Sequence, residues 1–415
     1  MSKNIVLFRY SPSTMMINYA NLEDTIVITP DYNEEKYTVF TKEWGFQVPT
    51  VIYLKNFTLK NIFLEIKKIS EENVINQILT LSEEDIEIAG LLNTFFTEKN
   101  KKLLSSFLFK DKYYMRCFLQ DSVNQPQFEI LESEESLNQF VEATHSEKFI
   151  IKARSKAGAE DVFVYDTKVG LPNIEKKYLF SGEFLIETYV SLNNMLTFDG
   201  YSYGENIIRY FVHEYDQLIL TTLQNKTQNV LRTSRLYNNR LDLIELAYEN
   251  SKKVLETFGD NSEIIPFHFE WFYSSETNDF VFCEVGKRFG GGNIPTLIEN
   301  SFEVPVLKEY WELNDGENID MSLIKHFSEG LVLPKRISTY YSPFKKNGYL
   351  MEVPNEDPDW AMKFWKFSKA NEMITNSANI SEVHYIIVFS SENELEYSEN
   401  LLKLSEYNKG FKYKK

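Results

Sequence analysis

The chain has 415 residues, enough for two to three domains, and its 43% of hydrophobic and 15% of aromatic residues exclude a disordered protein. Its 44 basic and 61 acidic residues give a net charge of −17, which argues against nucleic acid as a partner and means that an anionic substrate needs a locally basic pocket. Two cysteines, no signal-peptide layout and no apolar run near the ~18 residues of a membrane span predict a cytoplasmic protein without a disulfide framework.

The N-terminal part of the chain, residues 1–105, predicts a small α/β domain. Residues 4–8 and 25–29 are short apolar runs rich in β-branched side chains, which is typical of buried parallel strands. Residues 73–81 and 86–96 carry apolar side chains at helical spacing and predict two helices. Strands and helices that alternate in this way pack as layers around one core.

The remaining residues predict further strands and helices without repeats or flexible linkers. Helices are predicted at residues 110–121, 135–143, 241–258 (followed by Gly259 as the residue after its C-terminus), from Pro295 onward and at 392–407. Strands are predicted at residues 128–131, 149–153, 161–165, 184–190, 195–198, 207–215, 266–273, 280–288, 348–353 and 384–389.

The most informative segment is a predicted hairpin within residues 266–295, PFHFEWFYSSETNDFVFCEVGKRFGGGNIP. Alternation places Glu284 on the same side of its strand as Phe282, and a hairpin centred on the turn brings Glu270 almost opposite Glu284. Two facing carboxylates repel each other unless a cation lies between them, and Mg²⁺ binds one or two carboxylates together with phosphate and water. The alternative is a hairpin whose polar face is simply solvated.

Two lysines and a loop of small residues suggest phosphate binding. Lys152 ends a buried strand, where an unpaired ammonium is costly and a phosphate is a suitable partner. The loop at residues 155–159 is small enough to close over phosphates with its backbone N–H groups. Lys112 lies in KDKYYMR, and the strand FLIETYV runs into Glu187 and can present its backbone to a flat heterocycle. For each of these side chains an ordinary exposed position is the alternative.

These segments follow one another in the order DK-x-x-x-R, IIK with the small-residue loop, LIE-x-Y-V, H-x-E-W-F and F-x-E-V-x-x-R-F-G-G-G. In this order and spacing, residues 105–310 resemble an ATP-grasp enzyme, and the last motif resembles the branch of amino-acid and dipeptide ligases. The resemblance implies an α/β (α+β) ATP-grasp architecture with four parts. They are an N-terminal α/β domain (1–105), two lobes that hold ATP (106–190, and 191–335 with the metal site) and a small C-terminal α/β cap (336–415).

The resemblance also implies roles for individual residues. Phosphate binding is implied for Lys112 and Lys152, closure of a mobile loop for Ser155, Lys156 and Gly158, contact with adenine for Glu187, Tyr189 and Val190, and contact with ribose for Asn194. Metal binding is implied for Glu270 and Glu284, and a catalytic role at the transferred phosphoryl group or the substrate carboxylate for Arg288, with Lys152.

Four further residues are candidates for substrate contact. One is His268, which shares a face with Glu270, and the others are glycines that let the backbone approach a ligand: Gly290, Gly291 and Gly292. Two positions depart from the family pattern. Gly286 stands where many members have a metal-binding Asn, and Asn194 stands where the ribose-binding Glu is usual.

The activity that the resemblance implies is that of an ATP- and Mg²⁺-dependent ligase, in which Mn²⁺ can substitute for Mg²⁺. Such an enzyme joins a small carboxylate to an amine, for example amino acids or peptides, through an acyl phosphate, and releases ADP and phosphate. Two alternatives stay open, namely a carboxylase-type enzyme that activates bicarbonate and an ATP-binding module without turnover. Similar enzymes are commonly dimeric, but nothing in the sequence decides for or against a homodimer.

Two other segments carry weaker signals. Residues 360–364, WAMKF, are superficially similar to a biotin attachment sequence. The stretch 359–369, however, carries Trp360, Phe364 and Phe367 at helical spacing, which predicts a helix instead of the hairpin turn that biotinylation needs. Arg232 and Arg235 precede the long predicted helix, where they either add an anion site or are ordinary polar residues.

Overall fold

The computed structural model describes residues 2–97, 102–192, 194–260, 263–315, 327–375 and 381–414. The strands are β1 (Ser2–Leu7), β2 (Thr25–Pro30), β3 (Thr50–Leu54), β4 (Val74–Thr80), β5 (Phe128–Ile130), β6 (Lys148–Ala153), β7 (Val162–Asp166), β8 (Phe184–Thr188), β9 (Asn194–Tyr203), β10 (Asn206–Tyr215), β11 (Gln228–Thr233), β12 (Ile264–Tyr273), β13 (Phe280–Gly286), β14 (Ile337–Pro343), β15 (Gly348–Glu352), β16 (Lys363–Lys366), β17 (Glu372–Ile374), β18 (Tyr385–Ser391) and β19 (Lys412–Tyr413). The α-helices are α1 (Pro12–Met15), α2 (Glu34–Thr38), α3 (Leu59–Glu72), α4 (Ile86–Phe96), α5 (Lys102–Leu108), α6 (Lys112–Phe118), α7 (Glu134–Thr144), α8 (Lys176–Leu179), α9 (Ile219–Asn225), α10 (Leu236–Asn239), α11 (Leu241–Phe258), α12 (Ile294–Phe302), α13 (Val306–Asp315), α14 (Phe327–Gly330) and α15 (Glu394–Asn408).

The N-terminal sheet is parallel and has the strand order β3-β2-β1-β4. Ile5 and Leu7 of β1 and Ile28 of β2 are buried and pack in one cluster with Ile62 and Ile66 of α3. Burial on both faces explains why β1 and β2 read as continuous apolar runs. The α/β layers predicted for this region are confirmed.

The helix predicted at residues 73–81 is wrong, because this segment is β4, which pairs in parallel with β1. Its apolar residues Ile75, Ile78 and Leu79 stand at the spacing of one helix face and so imitate an amphipathic helix. In the sheet, Ile78 packs into the cluster with Ile62, and Leu79 packs into the main core on the opposite face. A strand end that is covered on both faces needs no alternation.

The second sheet is antiparallel and has the order β5-β8-β6-β7. One face packs against α7, with Phe149, Ile151 and Ile186 in contact with the cluster that includes Leu137. Because side chains alternate along β6, its other face carries Lys152 towards a cavity.

The central sheet has eight antiparallel strands in the order β13-β12-β9-β10-β11-β14-β18-β16. One face carries stacked aromatic side chains, including Phe198 and Phe267, under α11, and the other face lines the cavity. Residues 336–415 supply three of these strands, so they share a sheet with residues 191–335. The boundaries between the four predicted parts remain a prediction.

Two local predictions need correction. The helix predicted at residues 359–369 is wrong, because β16 occupies its middle and pairs with β18, which places Phe364 in an apolar cluster and leaves Trp365 half-exposed. α11 ends before Gly259 as predicted, but Gly259 is extended. A Cβ there would lie 2.5 Å from the carbonyl oxygen of Leu255, so a close approach is what requires glycine.

No helix in the described ranges combines the length and the apolar character that crossing a membrane requires.

Candidate active site

A cavity of about 470 Å³ lies between the second sheet and the central sheet. Lysines of α6 and β6, carboxylates of β12 and β13, and the glycines after β13 all line it. Because the sheets carry these residues on facing surfaces, the cavity brings together motifs that are more than 100 residues apart in the chain.

The two predicted metal-binding carboxylates face each other in the hairpin. Glu270 and Glu284 are directly paired residues of β12 and β13, and both side chains line the cavity. A β-bulge follows, so that Trp271 pairs with Phe282, and Cys283 lines the cavity beside Glu284. The prediction that Phe282 and Glu284 share a side is therefore wrong, because the extra residue of the bulge turns Phe282 into the core.

These two carboxylates suit a divalent cation. Among the described residues no group of three metal-binding His, Cys, Asp or Glu side chains comes together. Two carboxylates are nevertheless a sufficient protein contribution for Mg²⁺, which completes its coordination with phosphate oxygens and water.

Lys112 is buried beside this pair. Its Nζ lies 3.3 Å from Oε2 of Glu284 and donates a hydrogen bond to the carbonyl oxygen of Lys156. Burial raises the pKa of Glu284, but Lys112 and Lys152 outweigh burial and hold this pKa below its ordinary value. Burial lowers the pKa of Lys112, but Glu284 and Glu83 outweigh it and raise this pKa. Both side chains are therefore charged at neutral pH.

Lys152 and Glu187 form a buried ion pair, in which Nζ lies 2.9 Å from Oε2. Arg116 completes the group, with its Nε donating a 2.7 Å hydrogen bond to Oε1 of Glu187. Burial raises the pKa of Glu187, but Arg116 and Lys152 outweigh burial and lower it. Arg116 was not predicted as a site residue. Its position four residues after Lys112 places it on the same side of α6, which is the signal that could have identified it.

The loop after β6 lies against the cavity. Lys156 and Gly158 line it, whereas Ser155 does not. Lys156 is exposed and forms an ion pair with Glu160, with a 2.8 Å contact. Ala159 packs against an apolar cluster that includes Phe344. The loop therefore bridges the second sheet and the C-terminal strands.

The residues predicted to contact adenine line the cavity, whereas the residue predicted to contact ribose does not. Tyr189 and Val190 line the cavity directly after β8, together with Glu187. The carboxylate of Glu187 is engaged by Lys152 and Arg116, so at this position the backbone is the part that remains for a heterocycle. Asn194 is the exposed first residue of β9 and does not line the cavity.

Arg288 connects the cavity to the N-terminal domain. Its Nε donates to Oε2 of Glu83, which lies in the turn Glu83–Asp85 and also pairs with Lys110 at 3.3 Å. Burial raises the pKa of Glu83, but Arg288 and Lys110 outweigh burial and lower it to about 2. A Cβ on Gly286 would lie 3.2 Å from the same Oε2, so the departure from Asn at this position leaves room for Glu83.

His268 is held by a carboxylate that the sequence analysis missed. Its Nδ1 lies 2.7 Å from Oδ1 of Asp199, and its Nε2 lies 3.6 Å from Oε1 of Glu270. Burial lowers the pKa of His268, but the charge and hydrogen bond of Asp199 outweigh burial and raise it to about 9. A Cβ on Gly290 would lie 2.6 Å from Nδ1 of His268 and 2.7 Å from Oδ1 of Asp199, so this position requires glycine. Asp199 is adjacent to His268 only through strand pairing, which the spacing of motifs does not reveal.

Of the remaining predicted residues, two glycines line the cavity and two arginines do not. Gly291 and Gly292 line the cavity, and Gly292 has a positive φ of 62°. Arg232 is buried against Glu394, and Arg235 pairs with Glu214 at 2.5 Å. Neither arginine lines the cavity, because acidic side chains elsewhere hold both of them.

Comparison with solved structures shows that the chain has the ATP-grasp fold. The L-amino acid ligase from Bacillus licheniformis matches with a TM-score of 0.72 at 13% identity, over 100% of this chain and 99% of that one. The N5-carboxyaminoimidazole synthetase from Staphylococcus aureus, complexed with ADP, matches with a TM-score of 0.64 at 11% identity, over 97% and 96%.

A third structure is the biotin carboxylase domain dimer of the 2-oxoglutarate carboxylase from Hydrogenobacter thermophilus, in complex with MgADP, ADP and bicarbonate. It matches with a TM-score of 0.63 at 12% identity, over 99% of this chain and 90% of that one. No protein-family model and no curated protein sequence matches the chain.

Proposed function

Since this chain has the ATP-grasp fold, we propose that it is an ATP- and Mg²⁺-dependent carboxylate–amine ligase that forms an amide or peptide bond. The observation that carries the proposal is the meeting of Glu270 and Glu284 with three cations on one cavity: the buried Lys112 and Lys152 and the partly buried Arg288. Transfer of a phosphoryl group to a carboxylate brings anions together, so catalysis consists mainly of positioning and charge neutralisation. Fixed cations and a metal site are the groups that this chemistry requires.

Each residue has a role in the proposed reaction. Lys112 and Lys152 bind phosphate oxygens of ATP, and the backbone at Tyr189 and Val190 contacts adenine. Arg288 orients the substrate carboxylate, one oxygen of which attacks the γ-phosphorus while the bond to ADP breaks. The amine then attacks the acyl carbon, and phosphate leaves. Glu270 and Glu284 would hold Mg²⁺, which would supply positive charge at the phosphates when bound.

Amino acids are the substrates that we propose, because the match to an L-amino acid ligase covers both chains almost completely. Two of the neighbouring structures are named for carboxylation, so bicarbonate is the acid that an experiment must distinguish from an amino acid.

The experiment combines the purified protein, ATP, MgCl₂ and hydroxylamine with pools of amino acids and other carboxylic acids in degassed buffer. Hydroxylamine traps an acyl phosphate as a hydroxamate, which is measured together with ADP and phosphate. We expect one pool to give hydroxamate and ADP in equal amounts, and an amide of the matching mass when amines replace hydroxylamine. The variant Glu284→Gln serves as the inactive control.

Two results would contradict the proposal. Release of ADP that depends on added bicarbonate and not on any organic acid indicates a carboxylase-type enzyme. Binding of ATP in calorimetry without release of ADP from any pool indicates a module without turnover.

A further inference from the structure

We infer that Glu83 of the N-terminal domain is a positioning residue for the reaction, because it holds Arg288 in place for the substrate carboxylate. Glu83 does not line the cavity, so it acts through Arg288 and not on the substrate itself. The inference rests on the proposed ligase activity, in which Arg288 orients the acid. It makes the active site depend on a turn that is 205 residues away from Arg288 in the chain.

The turn that carries Glu83 is fixed on both sides of this residue. Ser82 is buried, and its hydroxyl accepts a 3.0 Å hydrogen bond from the backbone N–H of Arg9, two residues after β1. Asp85 is also buried, and its Oδ1 accepts hydrogen bonds of 2.9 and 2.8 Å from Nε and Nη2 of Arg9. The two contacts anchor the turn to the N-terminal sheet, so that Glu83 provides a fixed support for another side chain.

Arg288 depends on this support because it lies beyond the hairpin. β13 ends at Gly286, two residues before Arg288. Nε of Arg288 donates a hydrogen bond to Oε2 of Glu83, and Nη1 donates one of 3.1 Å to the carbonyl oxygen of Phe289. Nη2 has no hydrogen-bond partner among the described residues, and the side chain lines the cavity. Glu83 therefore holds one edge of the guanidinium and leaves N–H groups of the other edge for a bound anion.

Gly286 provides the space in which the two side chains meet. A Cβ on Gly286 would lie 3.2 Å from Oε2 of Glu83, which is closer than an ordinary van der Waals contact, and 3.7 Å from Nε of Arg288. The Asn that stands here in many members of the family would extend further into this space. The close approach of Glu83 thus gives a physical reason for glycine at this position.

The contact with Glu83 leaves Arg288 able to attract an anion. Oε1 of Glu83 lies 3.3 Å from Nζ of Lys110, so two cations share one carboxylate and the group keeps one positive charge in excess. Glu284 and Glu270, the proposed metal-binding pair, are further carboxylates whose charges act on Arg288. Without Glu83, the guanidinium would be drawn towards this pair, where it would compete with Mg²⁺ instead of contacting the acid.

The experiment measures hydroxamate formation at varied concentrations of the acid found in the pools, in the unaltered protein and in Glu83→Gln, which keeps the shape and removes the charge. We expect kcat/KM for the acid to fall about 10- to 100-fold, the effect typical of losing a hydrogen bond to a charged group. The dissociation constant of a non-hydrolysable ATP analogue, measured by calorimetry, should stay within about twofold, because Glu83 does not line the cavity. The matched control is Glu84→Gln, an exposed residue of the same turn, which should behave like the unaltered protein.

Binding of the ATP analogue shows that a variant has folded, so a selective loss of acid use in Glu83→Gln supports the inference. If this variant does not bind the analogue, the double variant Glu83→Gln with Lys110→Gln, which loses one charge of each sign, takes its place with the same expected result.

Three results overturn the inference and leave the ligase proposal standing. They are a kcat/KM for the acid in Glu83→Gln that equals or exceeds that of Glu84→Gln, an equal loss of acid use and nucleotide affinity, and a loss of nucleotide binding in both the single and the double variant. Absence of hydroxamate with every acid in the unaltered protein overturns both the ligase proposal and the inference.

Discussion

The side of the cavity on which ATP is proposed to bind (the nucleotide side) and the neutral side lined by Asn229, Leu231 and Tyr340 differ in how their buried polar groups are satisfied. On the nucleotide side, Lys152 pairs with Glu187 at 2.9 Å and Lys112 approaches Glu284 to 3.3 Å. On the neutral side the oxygen of Asn229 has no partner among the described residues. A buried charge must be paired within the protein itself, because leaving it unpaired costs far more free energy than leaving a neutral amide unpaired.

One side of the cavity is therefore preorganised by its ion pairs, whereas the other side is not. In the proposed function, these ion pairs would hold the side chains for phosphate and metal in place before any ligand arrives, and this side would determine the chemistry. The neutral side carries no charged side chain in the described lining, so it would favour uncharged parts of a ligand.

The variant Glu284→Gln should lower ATP turnover about 100- to 1,000-fold, the cost typical of losing one electrostatic group at a reacting centre. It removes a metal-binding charge and leaves Lys112 without its carboxylate partner. Release of ADP is the measurement, and Glu276→Gln, an exposed residue in the turn of the same hairpin, is the matched control. Turnover at the rate of the control would remove the metal site from the proposal.

The variant Lys152→Met should weaken binding of a non-hydrolysable ATP analogue about 10- to 100-fold, because a charge-assisted hydrogen bond is lost. Lys156→Met should change this affinity less than about threefold, since an exposed ion pair contributes little. Calorimetry measures both dissociation constants. Equal affinities in the two variants would mean that the buried lysine does not bind the nucleotide.

The stabilising effect of His268 should depend on pH. The pKa of His268 is raised from 6.5 to about 9, so its contribution to stability is fully present below pH 6.5 and is lost as the pH rises through 9. His268→Asn should therefore lower the urea midpoint of unfolding clearly at pH 6 and much less at pH 10. A difference that stays constant over this range would show that His268 is not held as a cation.

Trypsin should cleave after Lys156 a few times more slowly when an ATP analogue and Mg²⁺ are bound, because closing loops become ordered over their ligands. Cleavage after Lys168, which is also exposed and lies just beyond β7, provides the reference within the same digest. Fragment masses identify the two cuts. If both rates fall together, the nucleotide protects the whole molecule and the loop has no separate role.

The sequence predicted those parts of the site in which the position of a side chain depends on a single strand or hairpin. Alternation along β12 and β13 is enough to predict that Glu270 faces Glu284, which the strand pairing confirms. Lys152 at the end of a buried strand likewise follows from its own neighbours in the sequence. The bulge that turns Phe282 inward was missed, because one additional residue changes the face of a side chain without changing composition.

The parts that were missed depend on contacts between distant segments. Asp199 meets His268 through the pairing of β9 with β12, and Glu83 reaches Arg288 from the turn that follows β4. No motif spans such pairs, so composition and periodicity could not predict them. The strand β4 was missed for a different reason, since the spacing of its apolar residues is compatible with either structure and only burial on both faces decides.

The strand order of the central sheet has a consequence for biosynthesis. β11 gains its second neighbour only when β14 has been made, more than 100 residues later, and β14 in turn waits for β18. Until then the nascent chain presents an open edge with unpaired backbone groups, which is a surface on which other chains can add. The interval between the synthesis of β11 and that of β18 is therefore the period in which a chaperone would be most useful and slow translation most harmful.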